Sequence, residues 1–413
     1  IRYSVASRGL GDVYKRQYAY SAHRGRRRVL LDLKSDGGRS AFLRLTAEAD
    51  VVIESFRPGV VDRLGIGYAA LRAANPGIGL CATSGFGQTG PRAHWAGHDL
   101  NYLAVGGYLH CSGRTADGGP ALPGATVADS AGGGLHAGAA ICAALTARGT
   151  TGEGTHLDVS IADGVLSLMS LAVDEYLANG TEPGPRHGLL TGRYAWYDLY
   201  QAADGGWLAV GAIEPRFFAN LCRSLDCDRW TDHQYDDEAV DGMRADFAAA
   251  FAARSRDEWV DLLGPADACV TAVLDVPELL ADEQFQSRGA FTEVIHPTAG
   301  PIAQVAAPLA GQVDASGLPV HDMAQPATDE VLTWAGLDAM ELATLRAEGA
   351  IACTPRSLRR NFPPFLERSL TASASSSTRR RAASPSSTAT SGRPVHPSKT
   401  AIRCSGTTGW PMP

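Results

Sequence analysis

The apolar positions fall into short runs that alternate with helical spacing. Val29-Leu-Leu-Asp-Leu33 and Val51-Val-Ile-Glu54 read as strands on either side of a segment with helical apolar positions at Phe42, Leu45 and Ala49. Tyr68 to Ala74 has helical spacing again and leads into a further apolar run, Ile78-Gly-Leu-Cys-Ala-Thr83. Strands alternating with helices in this way predict an α/β fold with a parallel sheet. Asp129 opens a long helix of small residues, 131–147, which Gly149 is expected to stop. From Tyr194 the pattern changes. Tyr197-Asp-Leu-Tyr-Gln201 and Trp207-Leu-Ala-Val-Gly211 predict two strands joined at Asp204-Gly205, followed by helical spacing over 243–263. Asp338-Ala-Met-Glu341 has the spacing of a capping box and predicts a last helix ending at Gly349.

Charge changes the picture at the carboxyl end. Ten basic residues follow Cys353 against one acid, Glu367, so the chain's net charge of −7 hides a strongly acidic body. An acidic body argues against a nucleic-acid partner. Residues 353–413 are Ser/Thr/Arg/Pro-rich without apolar periodicity, and read as a disordered or frameshifted tail. At the other end, Ser7-Arg-Gly-Leu-Gly-Asp-Val-Tyr-Lys-Arg-Gln17 matches one reading frame of a transposon-end sequencing adapter, so residues 1–17 are set aside as an artefact. No apolar run approaches the roughly 18 residues of a membrane span and no secretory signal is visible, which predicts a cytoplasmic protein. The eight cysteines are scattered, as in a reducing compartment. Cys222, Cys227 and His233 lack a fourth zinc ligand at short spacing, so no metal site is expected.

Three segments each offer one proton-transfer group near an element end: His98, Asp129 and Glu214. Taken singly, His98 is a structural histidine, Asp129 an N-cap and Glu214 a first-turn acid; together they equip a site to move a proton on and off carbon. Gly85-Phe-Gly87-Gln-Thr-Gly90 satisfies a dinucleotide fingerprint, but Pro91 stands where the helix must already run and no acid ends a following strand. A glycine-rich turn is the expected reading. No Gly-x-Ser-x-Gly elbow occurs, and Lys34 is the sole lysine between the suspect ends, which excludes a phosphate-binding P-loop. Arg24-Gly-Arg-Arg-Arg28, Arg57 and Arg63 lie at strand ends, where they suit either a polyphosphate ligand or a solvated edge.

Together these motifs resemble the family III CoA-transferase (CaiB/BaiF) group, and within it the alpha-methylacyl-CoA racemase branch. The matching segments are Leu31-Asp-Leu-Lys34, Glu54-Ser-Phe-Arg57-Pro-Gly59, Arg63-Leu-Gly65, Gly87-Gln-Thr-Gly90-Pro91, Gly97-His98-Asp99-Leu-Asn101-Tyr102, Asp129 and Val210-Gly-Ala-Ile-Glu214-Pro215, spread from about Val29 to about Ile351. The resemblance implies a Rossmann-like large domain made from both ends of the chain, a smaller central α+β domain and an interlocked homodimer. It sets residues 18–160 as the large domain without its first strand and helix, 161–193 as linker helices, 194–310 as the small domain and 311–352 as the return segment.

The activity implied is interconversion of (R)- and (S)-2-methylacyl-CoA thioesters, a step of fatty-acid and lipid metabolism. His98, paired with a partner chain's Glu214, and Asp129 serve as the two bases, and main-chain N–H groups at the Asp99 helix start hold the enolate. The resemblance assigns Leu31, Leu33 and Lys34 to the adenosine end of CoA, and Arg57 and Arg63 to its phosphates. It lays Gly97, Asp99, Asn101 and Tyr102 along the pantetheine. CoA belongs to the substrate, and neither cofactor nor metal is implied. The transferase branch uses the same aspartate as a nucleophile, and His98 with Glu214 favours the racemase. Leu122-Pro-Gly-Ala-Thr126 lacks an asparagine that some racemases carry. A third reading, an inactive fragment of such an enzyme, follows from the absent first strand.

Overall fold

The computed structural model describes residues 25–296, 300–306, 326–352 and 400–404. The adapter-like residues 1–17 lie outside them. The described residues contain nine strands: β1 (Ala49–Glu54), β2 (Gly79–Ser84), β3 (His156–Ser160), β4 (Tyr197–Gln201), β5 (Trp207–Gly211), β6 (Val270–Ala272), β7 (Phe291–His296), β8 (Gly300–Val305) and β9 (Thr400–Cys404). None of the helices among these residues is long and apolar enough to cross a membrane.

The chain packs as two units. The first joins Ile1–Cys81, Ala143–Leu157 and Val320–Pro413. Its sheet has the order β3-β2-β1-β9, and the helix Asp36–Ala47 leads into β1. That helix starts where it does because the Ser35 hydroxyl accepts the Gly38 N–H at 3.0 Å. Phe42 and Leu45 are both buried but serve different clusters, Phe42 with Val52, Ile66, Leu71 and Ile78, Leu45 with Leu332, Leu342 and Ile351. The return segment is stitched to the start of the unit by the buried Thr328 hydroxyl. It accepts the Leu30 N–H at 3.1 Å and donates to the Ala352 carbonyl at 2.8 Å. The run Val29–Leu33, expected as a strand, makes only an isolated antiparallel bridge, Leu31 with Ile351. Asp32 interrupts it: its carbonyl accepts the Ser35 N–H and hydroxyl, which turns the chain into the helix.

A second departure concerns the tail. Thr400–Cys404, inside the segment read as disordered or frameshifted, forms β9 parallel to β1. Ladder pairing uses main-chain groups, so an open strand edge accepts an extended segment of almost any sequence.

The second unit joins Ala82–Cys142 and Asp158–Pro319. Within it, Gly164 of the helix Ile161–Leu168 lies so near Gly132 that a Cβ would sit 2.0 Å from the Gly132 carbonyl oxygen. Gly132 belongs to a π-helix, Ala128–Leu135, that continues as the α-helix His136–Thr151. The helix therefore runs through Gly149, expected as its stop, and ends before Gly152, whose φ is 74°.

Antiparallel β4-β5-β6 carries the main core of this unit, with Trp196, Phe218, Phe247, Phe251 and Trp259 buried together. Each such side chain contributes about 1.5–3 kcal/mol by leaving water. Their polar tips stay paired: Trp196 Nε1 donates to the Gln234 carbonyl at 2.6 Å and Trp259 Nε1 to the Phe251 carbonyl at 2.9 Å. The β4–β5 hairpin turns through Gly205 at φ 83°, as its Asp-Gly pair predicts. The helical spacing over 243–263 resolves into two helices, Val240–Phe251 and Arg256–Leu263, because Ser255 caps the second.

Candidate active site

The helix Asp99–Val105 organises the site in the second unit. His98 is its N-cap, with extended backbone at φ −133° and ψ 177°. The Asn101 side-chain oxygen accepts the His98 N–H at 3.0 Å, and the His98 carbonyl accepts the Asn101 N–H at 2.8 Å. These reciprocal bonds fix where the helix begins and leave the exposed imidazole at its mouth. Among the described residues, the N–H groups of Asp99 and Leu100 find no partner, as expected of a first helical turn.

Asp129 stands near the start of the π-helix, a geometry that concentrates at functional positions. Its main-chain N–H donates to Asp99 Oδ1 at 2.8 Å, so Asp129 is tied to the residue that follows His98 in the chain. Partial burial raises the proton affinity of the Asp129 carboxyl above the usual carboxylate range. The Asp99 carboxylate raises it further, and a charged His98 pulls it back. His98 and Asp129 are thus within electrostatic reach of each other.

Tyr102 lies one turn into the helix Asp99–Val105. It is buried with Leu103, Ala128 and Val165, its ring edge-on to Phe86 at 5.2 Å. A Cβ on Gly97 would come within 2.7 Å of that ring, and one on Gly85 within 2.4 Å of its hydroxyl. Burial, and then the nearby Asp129 carboxylate, push the phenol up to about 12. Gly97 and Tyr102 therefore pack against each other, and the ring leaves no room for a side chain at 97. The same contact settles the Gly85-x-Gly87 motif. Gly85 makes room for Tyr102, Gly87 and Gly90 take left-handed backbone at φ 80° and 92°, and Asp158 accepts the Gln88 N–H at 3.0 Å. This is a braced turn and no dinucleotide fingerprint.

Glu214 is the exposed N-cap of the helix Pro215–Ser224. Among the described residues, no hydrogen bond or ion pair joins it to His98 or Asp129. Its charge instead helps raise the Cys269 thiol, after burial. Two of the three expected proton-transfer groups are brought together within this chain, and the third is not.

The residues expected around CoA divide between the units. In the first, Leu31 and Leu33 are half-buried against the Phe42 cluster, and Lys34 is exposed with its N–H donating to Asp32 Oδ1 at 3.0 Å. Arg57 precedes, and Arg63 ends, a one-turn helix, Val60–Arg63, whose N-cap Gly59 has φ 76°. A Cβ there would lie 3.3 Å from an Arg63 guanidinium nitrogen. Gly97, Asp99, Asn101 and Tyr102 belong to the second unit.

Two acids carry more than their sequence motifs signalled. Glu54, quoted above within a motif and given no role, is 2 % exposed, and its Oε2 accepts the Phe56 N–H at 2.7 Å. Burial, opposed by that bond and reinforced by Asp62, raises its carboxyl to about 7. Asp158 is the other, the brace of the Gln88 turn. An acid directly ahead of an Arg-Pro-Gly turn was the available signal for Glu54; nothing local pointed to Asp158. Cys222 and Cys227 are buried free thiols, and no cluster of three His, Cys, Asp or Glu side chains suited to a metal occurs among the described residues.

Comparison with known proteins places this geometry. The sequence profile of CoA-transferase family III matches residues 6–328, a stretch that also takes in the adapter-like segment. The chain is 36 % identical over 271 residues to the alpha-methylacyl-CoA racemase of Homo sapiens, covering 65 % of this chain and 70 % of that one. It is 33 % identical over 270 residues to the acetyl-CoA:oxalate CoA-transferase of Acetobacter aceti, covering 63 % and 68 %. Among solved structures, a CAIB/BAIF family protein from Brucella suis superposes with a TM-score of 0.62 at 27 % identity, over 80 % of this chain and 83 % of that one. The fold is that of these proteins, and the chain belongs to CoA-transferase family III.

Proposed function

We propose that this enzyme is a racemase that interconverts the (R) and (S) forms of 2-methylacyl-CoA thioesters through an enolate. The observation that carries the reading is the pairing of His98 with Asp129, whose carboxyl holds its proton more tightly than an ordinary aspartate. Racemisation needs a base on one face of the carbon and a proton donor on the other. His98 takes the α-proton from one face while Asp129 delivers one to the opposite face, and the reverse reaction exchanges the roles. Main-chain N–H groups at Asp99 and Leu100, without partners among the described residues, are suited to the charge that gathers on the thioester oxygen. No proton-transfer step calls for a metal or redox cofactor. Both racemases and transferases are among the relatives, and His98 favours the former.

A second copy of the chain completes the reading. Leu135, Leu166, Leu168, Leu171 and Leu177 are exposed on successive helices of the second unit, an apolar surface suited to a homodimer. Glu214, remote from His98 in its own chain's bonding, is then supplied to the partner's His98. Arg57 and Arg63 serve the phosphates of CoA.

The test is incubation with a panel of 2-methylacyl-CoA thioesters in deuterium oxide. The expected result is incorporation of deuterium at the α-carbon with loss of chirality. Absence of exchange, together with CoA transfer to a free carboxylate and hydroxylamine capture of an acyl group on Asp129, assigns the transferase chemistry instead.

A further inference from the structure

His98 and Asp129 are both held by side chains from the first turn of one helix. Asn101 Oδ1 accepts the main-chain N–H of His98 at 3.0 Å, and Asp99 Oδ1 accepts that of Asp129 at 2.8 Å. The first also caps the helix Asp99–Val105, and the second reaches across thirty residues to the start of the π-helix. The π-helix gains its own main-chain bonds, and Asp129 near its start needs an acceptor from elsewhere only because a first-turn N–H has none within the helix. The acceptor supplied is a carboxylate, where an amide or a water would satisfy the same donor.

Resting on the two-base reading, we infer that Asp99 is the positioning residue for Asp129 and Asn101 the positioning residue for His98, so that a single helical turn sets the separation of the two bases. Asp99 has a second effect. Its charge beside Asp129 keeps the Asp129 carboxyl protonated to higher pH, in addition to burial. The other titratable groups acting on or near Asp129 are His98, which opposes that effect, and Tyr102, the N-cap and a residue of the helix Asp99–Val105. The packed helix Ile161–Leu168 contributes Asp163, whose N–H is capped by Ser160.

The two effects of Asp99 separate by substitution. Asp99→Asn keeps an oxygen acceptor for the Asp129 N–H and removes the charge, while Asp99→Ala removes both. Titration of the Asp129 side-chain carbon by 13C NMR, assigned against Asp129→Asn, needs no substrate. The Asp129 midpoint is expected to fall in Asp99→Asn, with the acidic limb of the kcat profile for α-proton exchange moving down in step. Asp99→Ala and Asn101→Ala are expected to lose about a hundred-fold in kcat, the scale of a displacement near 1 Å, with melting temperature retained. An Asp129 midpoint unmoved in Asp99→Asn, or Asp99→Ala turning over as fast as Asp99→Asn, overturns the inference. If the wild-type enzyme exchanges no proton, the two-base reading falls. The carbon titration then still decides whether Asp99 governs Asp129.

Discussion

Glu54, at the end of β1, and Asp129, near the start of the π-helix, both hold a proton more tightly than a carboxyl in water, first through burial, and they differ in the charges beside them. Glu54 is sealed in, and a single main-chain N–H from Phe56 is the named contact that favours its ionised form. Asp129 is shifted first by partial burial, and two side chains of opposite sign then act on it, Asp99 upward and His98 downward. Glu54 answers mainly to its burial, with one like charge, Asp62, adding to it. An acid balanced between a carboxylate and an imidazole has a proton affinity that answers to the state of its neighbour, which a proton shuttle requires.

The comparison breaks most clearly on rates. Asp129→Asn is expected to slow α-proton exchange about a thousand-fold, within the range for losing a general acid or base, while leaving the melting temperature near that of the wild type. Glu54→Gln is expected to leave the bond to Phe56 in place through its amide oxygen and to slow exchange far less. Equal losses in the two variants would erase the distinction between them.

Stability against pH sharpens it from the other side. The folded Glu54 carboxyl titrates at about 7 against an ordinary value of 4.5, so the fold binds its proton more tightly than the unfolded chain does. Stability from this group is greatest below pH 4.5 and is lost as pH rises through 7, on the order of 3 kcal/mol in all. Urea midpoints of the wild type are expected to fall between pH 5 and 8 relative to Glu54→Gln, whose uncharged amide carries no such slope. A parallel course for both proteins would locate the pH response elsewhere.

A packing change gives the smallest effect. Gly164→Ala puts a methyl group against the Gly132 carbonyl and is expected to destabilise the second unit by about 1–3 kcal/mol, read as a lower melting temperature. Because Gly132 lies three residues past Asp129, exchange in this variant is expected to slow as well, though less than in Asp129→Asn.

Much of the architecture was legible in local pattern. Tyr68–Ala74, β4, β5 and the Asp338 capping box fall where apolar spacing and turn residues put them, since each is decided within a dozen residues. Val29–Leu33 misled because a run of apolar residues does not say whether a partner strand lies beside it. The helix stop misled for a different reason: a glycine inside a helix costs only about 1 kcal/mol, too little to end a helix whose alanines are the strongest helix formers. In the site, His98 and Asp129 were readable as residue types at element ends. The bond from Asp129 to Asp99 was not, because a contact between residues thirty positions apart has no signature in a single sequence. Tyr102 and Gly97 carried a second ambiguity. A motif records which residues occur together, and here the reason is a ring filling the space a side chain would take.

Thr328 ties Leu30 to Ala352, so the amino-terminal unit lacks part of its closing seam until residue 352 has been synthesised. The aromatic core around Trp196 and Trp259 uses no residue later than Val270. At translation rates of about 5–20 residues per second, that core is complete several seconds ahead of the seam. During this interval the nascent chain carries one closed aromatic core and one open seam, and it is the earlier-made unit that waits for the later segment.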